Sequence, residues 1–265
     1  MAWSLSTTAL ELQGALTQGS LLRGQLPAGS QLWLNQQPVD ITSDGWFALG
    51  FGRDALLEHE LSWQKPGEKR QSRTIQLMQR EYRIQHIDGL PAKMVSPPEA
   101  VLTRIRQDSQ QVSVARKLNE DRSDFSQSFI WPVTGRISGV YGSQRVLNGQ
   151  PKRPHFGVDV AAATGTPVYA PADGKVTLFV ADMYYSGGTM IIDHGLGVSS
   201  TFLHLHKSHV KVGEVVNQGQ LVGEVGSSGR STGPHLDWRM NWFKERIDPT
   251  LLVPYREGLD PLPPE

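Results

Sequence analysis

The chain has no cysteine among its 265 residues. Disulfides, thiolate metal ligands and a cysteine nucleophile are therefore excluded. It also lacks any excess of charge: Lys and Arg total 26 and Asp and Glu total 26, for a net charge of +0. Nothing global marks nucleic acid or an acidic polymer as a partner. No apolar run reaches the ~20 residues of a membrane-spanning helix, and no secretory signal is present. The chain opens Met1-Ala2-Trp3 and runs straight into ordinary sequence. The expectation is a start methionine placed on a trimmed mature chain, whose precursor would carry an upstream apolar segment.

What is present favours β structure. Glycine (27) and proline (17) are plentiful and the apolar runs are short. The length allows one large or two ordinary domains. SLLRGQL (20–26), SQLWLN (30–35), GWFALGF (45–51), SRTIQLM (72–78) and EYRIQHI (81–87) alternate partly, with turn residues between them. They predict a small β-sandwich over residues 1–95. His59 and His86 fall there without metal-ligand spacing to a neighbour and read as structural.

The character changes at Ser96-Pro97-Pro98-Glu99, a capping pattern with proline at the first helical position. Val101, Ile105 and Val112 follow at near-helical spacing, so roughly 97–120 reads as an exposed linker helix. Its basic residues alternate with acids, which argues against a nucleic-acid helix. The polar stretch NEDRSDFSQS (119–128) has the composition of a flexible connection. Residues 96–128 thus form the linker, 129–255 a second β domain, and 256–265 a C-terminal tail. HVKVGEVVNQGQLVGEVG resembles the hairpins of biotinyl carriers, but Val216-Asn217-Gln218-Gly219 at the tip offers no lysine to modify.

The chemistry concentrates in the second domain. His155 and Asp159 are four apart in HFGVD, and flanking Val158 and Val160 argue for extended chain. Positions four apart share a face on a strand, so both side chains can meet one ion. His194, His204, His206 and His235 follow in glycine-rich β segments, and His235 lies two before Asp237 in GPHLDW. His204-Leu205-His206 is a second H-x-H that spacing alone leaves open as a ligand pair.

WPVTGRISGVYGSQR (131–145), PHFGVDVAAATGTPVYAPADGKV (154–176), FLHLH (202–206) and SSGRSTGPHLDW (227–238) resemble, in order and spacing, the LytM/lysostaphin-type zinc metallopeptidases of the M23 family. The resemblance covers about 131–253. It implies a C-terminal antiparallel β catalytic domain of that type, which with the small N-terminal β-sandwich and linker helix read above makes the chain mainly β. By that resemblance His155 and Asp159 are metal ligands, His204 and His235 are catalytic helpers, and Asp237 stands where the family carries its third ligand, a histidine. Phe202 replaces a tyrosine of the family pattern.

Carboxylate is an accepted zinc ligand at nearly the bond length of imidazole nitrogen, so Asp237 is competent to serve. One His and two carboxylates would formally neutralise Zn²⁺ and weaken its Lewis acidity, and the oxygen-rich set admits another divalent metal such as Mn²⁺. The implied activity is metal-dependent hydrolysis of peptidoglycan stem-peptide or cross-bridge bonds in the periplasm or cell envelope. The alternative is an impaired relative that binds peptidoglycan or activates another wall hydrolase. Other envelope proteins, docked through the N-terminal domain, are a second class of partner. The upstream region is expected to cover the cleft in part, through an oxygen donor among Asn119, Glu120, Asp121 and Asp124 or through the bulk of the helix.

Overall fold

The computed structural model describes residues 10–87 and 99–259. Within them the chain is mainly β, with one α-helix, Leu102–Ala115, entered through a 3₁₀ turn at Glu99–Val101. The N-terminal body has a pair of strands, Leu21–Gln25 with Trp46–Gly50. A second sheet runs in the order Gln37–Val39, Gln31–Leu34, Glu58–Gln64, Gln71–Gln76. Leu22, Phe47, Leu49, Leu61, Trp63 and Ile75 alternate inward from both sheets and share one core. Glu58–Gln64 is a strand that its charged sequence EHELSWQ conceals, because only its inward positions, His59 among them, are apolar or paired.

The expected strand at 81–87 forms at Ile84–Ile87 but does not belong to the sandwich. It pairs in parallel with Gln144–Leu147 of the second domain. The pairing places an upstream strand beside a hairpin of the second domain, and Arg53 Nε donates to the Gly142 carbonyl nearby. The capping residues Ser96, Pro97 and Pro98 lie outside the described residues, as do 88–95 and 260–265.

The second domain is built on a large sheet in the order Val215–Val216, Gly174–Met183, Gly187–Asp193, Val198–Leu205, His235–Trp242, Val158–Ala161, Arg136–Gly139. All its neighbours are antiparallel, and Glu245–Ile247 pairs back onto His235–Trp242. One face carries Val158, Val160, Ile192, Val198, Phe202, Leu236, Trp238 and Met240, all buried in the core. The period of two sends their neighbours to the opposite face, where polar side chains collect.

The two bodies share packing. Leu21 and Ala48 face the core of the second domain while Leu22, Phe47 and Leu49 face that of the first. Gly50 lies so close to Trp242 that a Cβ would stand 2.6 Å from the indole's own Cβ. Arg80 and the buried Asp248 pair across the junction at 2.8 Å. The junction sits at the Trp242 end of the central strand, away from His235.

The helix is shorter than the expected 97–120. Its half-buried positions, Leu102, Ile105, Asp108 and Val112, with buried Ala115, form a stripe at helical spacing that packs on Gly174–Met183. Asp108 accepts from the Tyr184 amide at 2.7 Å, and Arg104 pairs with Asp182 at 2.8 Å. The stretch after it, read from composition as a loose connection, is tied down. Asn119 donates to Asp40, Asp121 accepts from the Ser43 amide, and Glu120 binds Lys175 at 2.7 Å. Arg122 gathers Glu120, Asp124 and Asp193, and Phe125 is buried. Its charges find opposite charges on the sheet, which composition cannot show.

Candidate metal centre and cleft floor

The polar face of His235–Trp242 presents His235, Asp237, Arg239 and Asn241 in turn, because Leu236, Trp238 and Met240 take the core. Asp159 is the cross-strand partner of Asp237. Two carboxylates side by side repel, so this register calls for a cation between or beside them. His155 stands in the loop before Val158–Ala161, fixed by its amide on the Ser143 carbonyl and by its own carbonyl on Gly142 N–H. One ligand atom from each of His155, Asp159 and Asp237 lies within 4.8 Å of the others.

The fit to a metal rests on stranded atoms. His155 Nε2 and Asp159 Oδ1 are buried without a hydrogen-bond partner and face each other at 3.2 Å. Buried polar atoms left in this way are destabilising unless something else binds them. The N and O donors are of the kind zinc accepts. Two glycines make the room: a Cβ on Gly139 would fall 2.3 Å from Asp159 Oδ2, and one on Gly157 2.6 Å from Asp237 Oδ1. The residues present therefore fit a divalent cation.

Asp237 is already held by a cation of the chain itself. Arg239 Nε donates to its two oxygens at 2.9 and 3.1 Å, and Nη2 to Oδ2 at 2.5 Å. Burial alone would raise this carboxyl, but Arg239, with His155 and His204, outweighs it and holds the group at about 2. A carboxylate has about four lone-pair directions, so the pair leaves some free. Arg239 also offsets the expected neutralisation of the ion: His155, two carboxylates, Arg239 and a dication sum to +1. Sequence reasoning passed over Arg239, although its position two after Asp237 on a strand signalled a shared face.

His204 and His235, the expected catalytic helpers, stand together, their rings 4.8 Å apart. His204 has left-handed backbone (φ 63°), which breaks the strand's alternation and lets the ring stand against His235. Its Nδ1 lies 2.7 Å from the Ser228 carbonyl, and His235 Nδ1 lies 2.8 Å from the Gly233 carbonyl. A carbonyl only accepts, so both rings carry their proton on Nδ1 and leave Nε2 basic. His235 Nε2 is 3.8 Å from Asp159 Oδ1. Burial lowers the His204 pKa, offset in part by Ser228, so that ring is neutral near pH 7. For His155 burial pulls downward, but the neighbouring carboxylates of Asp159 and Asp237 prevail and raise it.

The other histidines lie elsewhere. His206 is exposed, and His209 bonds Glu224 at 2.8 Å. His194 is fully buried between the Asp173 carbonyl and Ser200 Oγ. None of Asn119, Glu120, Asp121 and Asp124 reaches the centre; the partners given above hold all four. The expectation of an oxygen donor from that stretch is corrected accordingly.

Residues 153–249 match the sequence profile described as Peptidase family M23, a span that includes His155, Asp159, His204, His235 and Asp237. That segment is M23-like. A Vibrio cholerae protein described as "Peptidoglycan DD-endopeptidase ShyA" is 34% identical over 142 residues, covering 51% of this chain and 29% of that protein. A Neisseria meningitidis protein described as "DD-carboxypeptidase/endopeptidase Mpg" is 38% identical over 117 residues, 44% of this chain and 27% of the relative. A Haemophilus influenzae protein described as an uncharacterized metalloprotease is 35% identical over 127 residues, 48% of this chain and 24% of the relative. The matched part thus spans about a quarter of these relatives' length, 24–29%. A Pseudomonas aeruginosa crystal structure whose description places it in M23 superposes with TM-score 0.68 at 25% identity. It covers 89% of this chain and 94% of its own. Since that share exceeds the M23-like segment, the similarity reaches into the N-terminal half as well.

Proposed function

We propose that the protein is a metal-dependent endopeptidase of the bacterial cell envelope acting on the peptides of peptidoglycan. His155, Asp159 and Asp237 would hold the ion, zinc or another divalent metal. The observation that carries this reading is the pair of buried atoms, His155 Nε2 and Asp159 Oδ1, 3.2 Å apart, with His235 Nε2 3.8 Å from the same carboxylate oxygen. The names of the relatives support peptidoglycan as the substrate.

When bound, the ion supplies Lewis-acid polarisation of a peptide carbonyl and a lowered pKa for water. The rest falls to the chain. His204, neutral and aimed by Ser228, accepts a proton at Nε2 from the attacking water. His235, aimed by Gly233, is placed to hold or return a proton at the same site through its own Nε2. Arg239 keeps Asp237 ionised. Residues 1–95, 96–128, 129–255 and 256–265 serve in this proposal as accessory domain, linker, catalytic domain and tail.

The Arg239 clamp favours a second reading, a peptidoglycan-binding or hydrolase-activating protein whose third ligand is lost to an internal ion pair. Digestion of purified sacculi by the zinc-supplemented protein separates the two. Soluble peptide-cleavage products support the enzyme, and undigested sacculi that retain the protein support the binder.

A further inference from the structure

Beyond Asp237 the polar face of the sheet turns basic. Arg239 is the cross-strand partner of Thr201, and the Thr201 hydroxyl accepts from Arg116 Nη2 at 2.8 Å. Asn241, the next floor residue, is the cross-strand partner of Arg246 and accepts from its Nη1 at 3.2 Å. Three guanidinium groups therefore converge on one patch, two from the sheet and one from the C-terminal end of the linker helix. Among the described residues, the carboxylates that act on these arginines are Asp237 and, for Arg239, Asp159. Both belong to the metal centre, and Arg239 alone takes up the Asp237 oxygens.

Among the described residues, Arg116 donates to the neutral Thr201 oxygen, Arg246 donates to the neutral Asn241 oxygen and lies over the Phe156 ring at 5.8 Å, and Arg116 Nε is buried without a hydrogen-bond partner. Like charges gathered on a half-buried floor repel. Burial first, and then Arg246 and Arg239, push Arg116 well below its ordinary value. Burial, Arg239 and Arg153 hold Arg246 at about 10. Such an arrangement is unfavourable in the free protein and becomes favourable when an anion enters. The floor positions of Asp237 and Asn241 are four residues apart on a strand, or about 13 Å. The patch therefore lies about two to four extended peptide residues from the metal centre.

We propose that Arg116 and Arg246, beside Arg239, form a subsite for a free carboxylate of the peptide substrate. This rests on the endopeptidase reading and adds the substrate feature that the cleft selects. It also gives the linker helix a function, since its C-terminal arginine completes the site.

The test is binding to the full chain, read by calorimetry and by the arginine Nε–H resonances. The probes are a synthetic tetrapeptide with a free C-terminal carboxylate, the same peptide as its amide, and inorganic phosphate. The free acid should bind about tenfold or more tightly than the amide, the worth of one charged hydrogen-bonded contact. Arg116→Gln and Arg246→Gln, shown folded by circular dichroism, should each remove most of that preference. Arg104→Gln, on the outer end of the same helix, should leave it intact. Equal binding of acid and amide, no binding of either, or preference retained in both variants overturns the subsite. Phosphate binding without an acid-over-amide preference marks an adventitious ion only and also overturns it. Preference for the acid without any hydrolysis of sacculi keeps the subsite and sinks the endopeptidase reading alone.

Discussion

Replacing Arg239 by Gln tests how the centre balances its charges. The substitution removes three contacts of 2.5–3.1 Å from a carboxylate that is 3% exposed and lies beside Asp159. Breaking a buried ion pair by deleting one partner costs about 3–5 kcal/mol. The Arg239 side chain is 26% exposed, so the lower end, about 3 kcal/mol, is the appropriate figure. At about 2–4 °C per kcal/mol for a domain of this size, Tm should fall by about 6–12 °C in the presence of a chelator. Zinc supplies a counter-charge to Asp237, so saturating zinc should recover most of the loss. The competing cation is then gone, and zinc affinity should rise at least about tenfold. Thermal unfolding with and without zinc, together with competition against a chelating dye, measures both quantities. An equal Tm loss in both conditions, or weaker zinc binding, would refute the reasoning. Either result would show that Arg239 is needed to aim Asp237 rather than competing for it.

Other outcomes follow from the same contacts. His204→Ala and His235→Ala should retain metal while hydrolysis falls about 10²–10⁴-fold; loss of metal in His204→Ala would point to 204–206 as the true ligand pair. His194 is fully buried and neutral, its pKa lowered by burial from 6.5 to about 4. The unfolded chain then binds that proton more readily, so stability falls as pH drops from 6.5 toward 4. The contribution is about 3 kcal/mol, and equilibrium unfolding across this range should show a smaller loss in His194→Gln. Phe125→Ala should destabilise the chain by about 3–5 kcal/mol. A chain begun at Ser126 should likewise unfold at lower temperature, because the linker is part of the core; unchanged stability in either would restore the picture of a loose connection.

Much of this was legible in the sequence because it rests on short-range periodicity. GPHLDW places His235 and Asp237 on one strand face, opposite Asp159 of the HFGVD strand, while His155 reaches the same site from the loop before that strand and not by alternation along it. His204 joins them through a left-handed residue that no alternation predicts; the family pattern signalled it instead. What escaped depends on partners distant in the chain. Ile84–Ile87 found its neighbour at Gln144–Leu147, and the charged run after the helix found Lys175 and Asp193. Arg239 shares the strand face of Asp237 two residues on, but an arginine carries no metal-ligand signature, so the ligand pattern does not single it out.

The central claim is that His155, Asp159 and Asp237 together hold a catalytic metal. The most direct measurement is metal content of the purified full chain and of Asp237→Ala, by mass spectrometry after zinc loading and gel filtration. The account predicts about one divalent ion per wild-type chain and a folded Asp237→Ala protein that has lost it. Metal retained in Asp237→Ala, or a folded wild-type chain that takes up none, would contradict it.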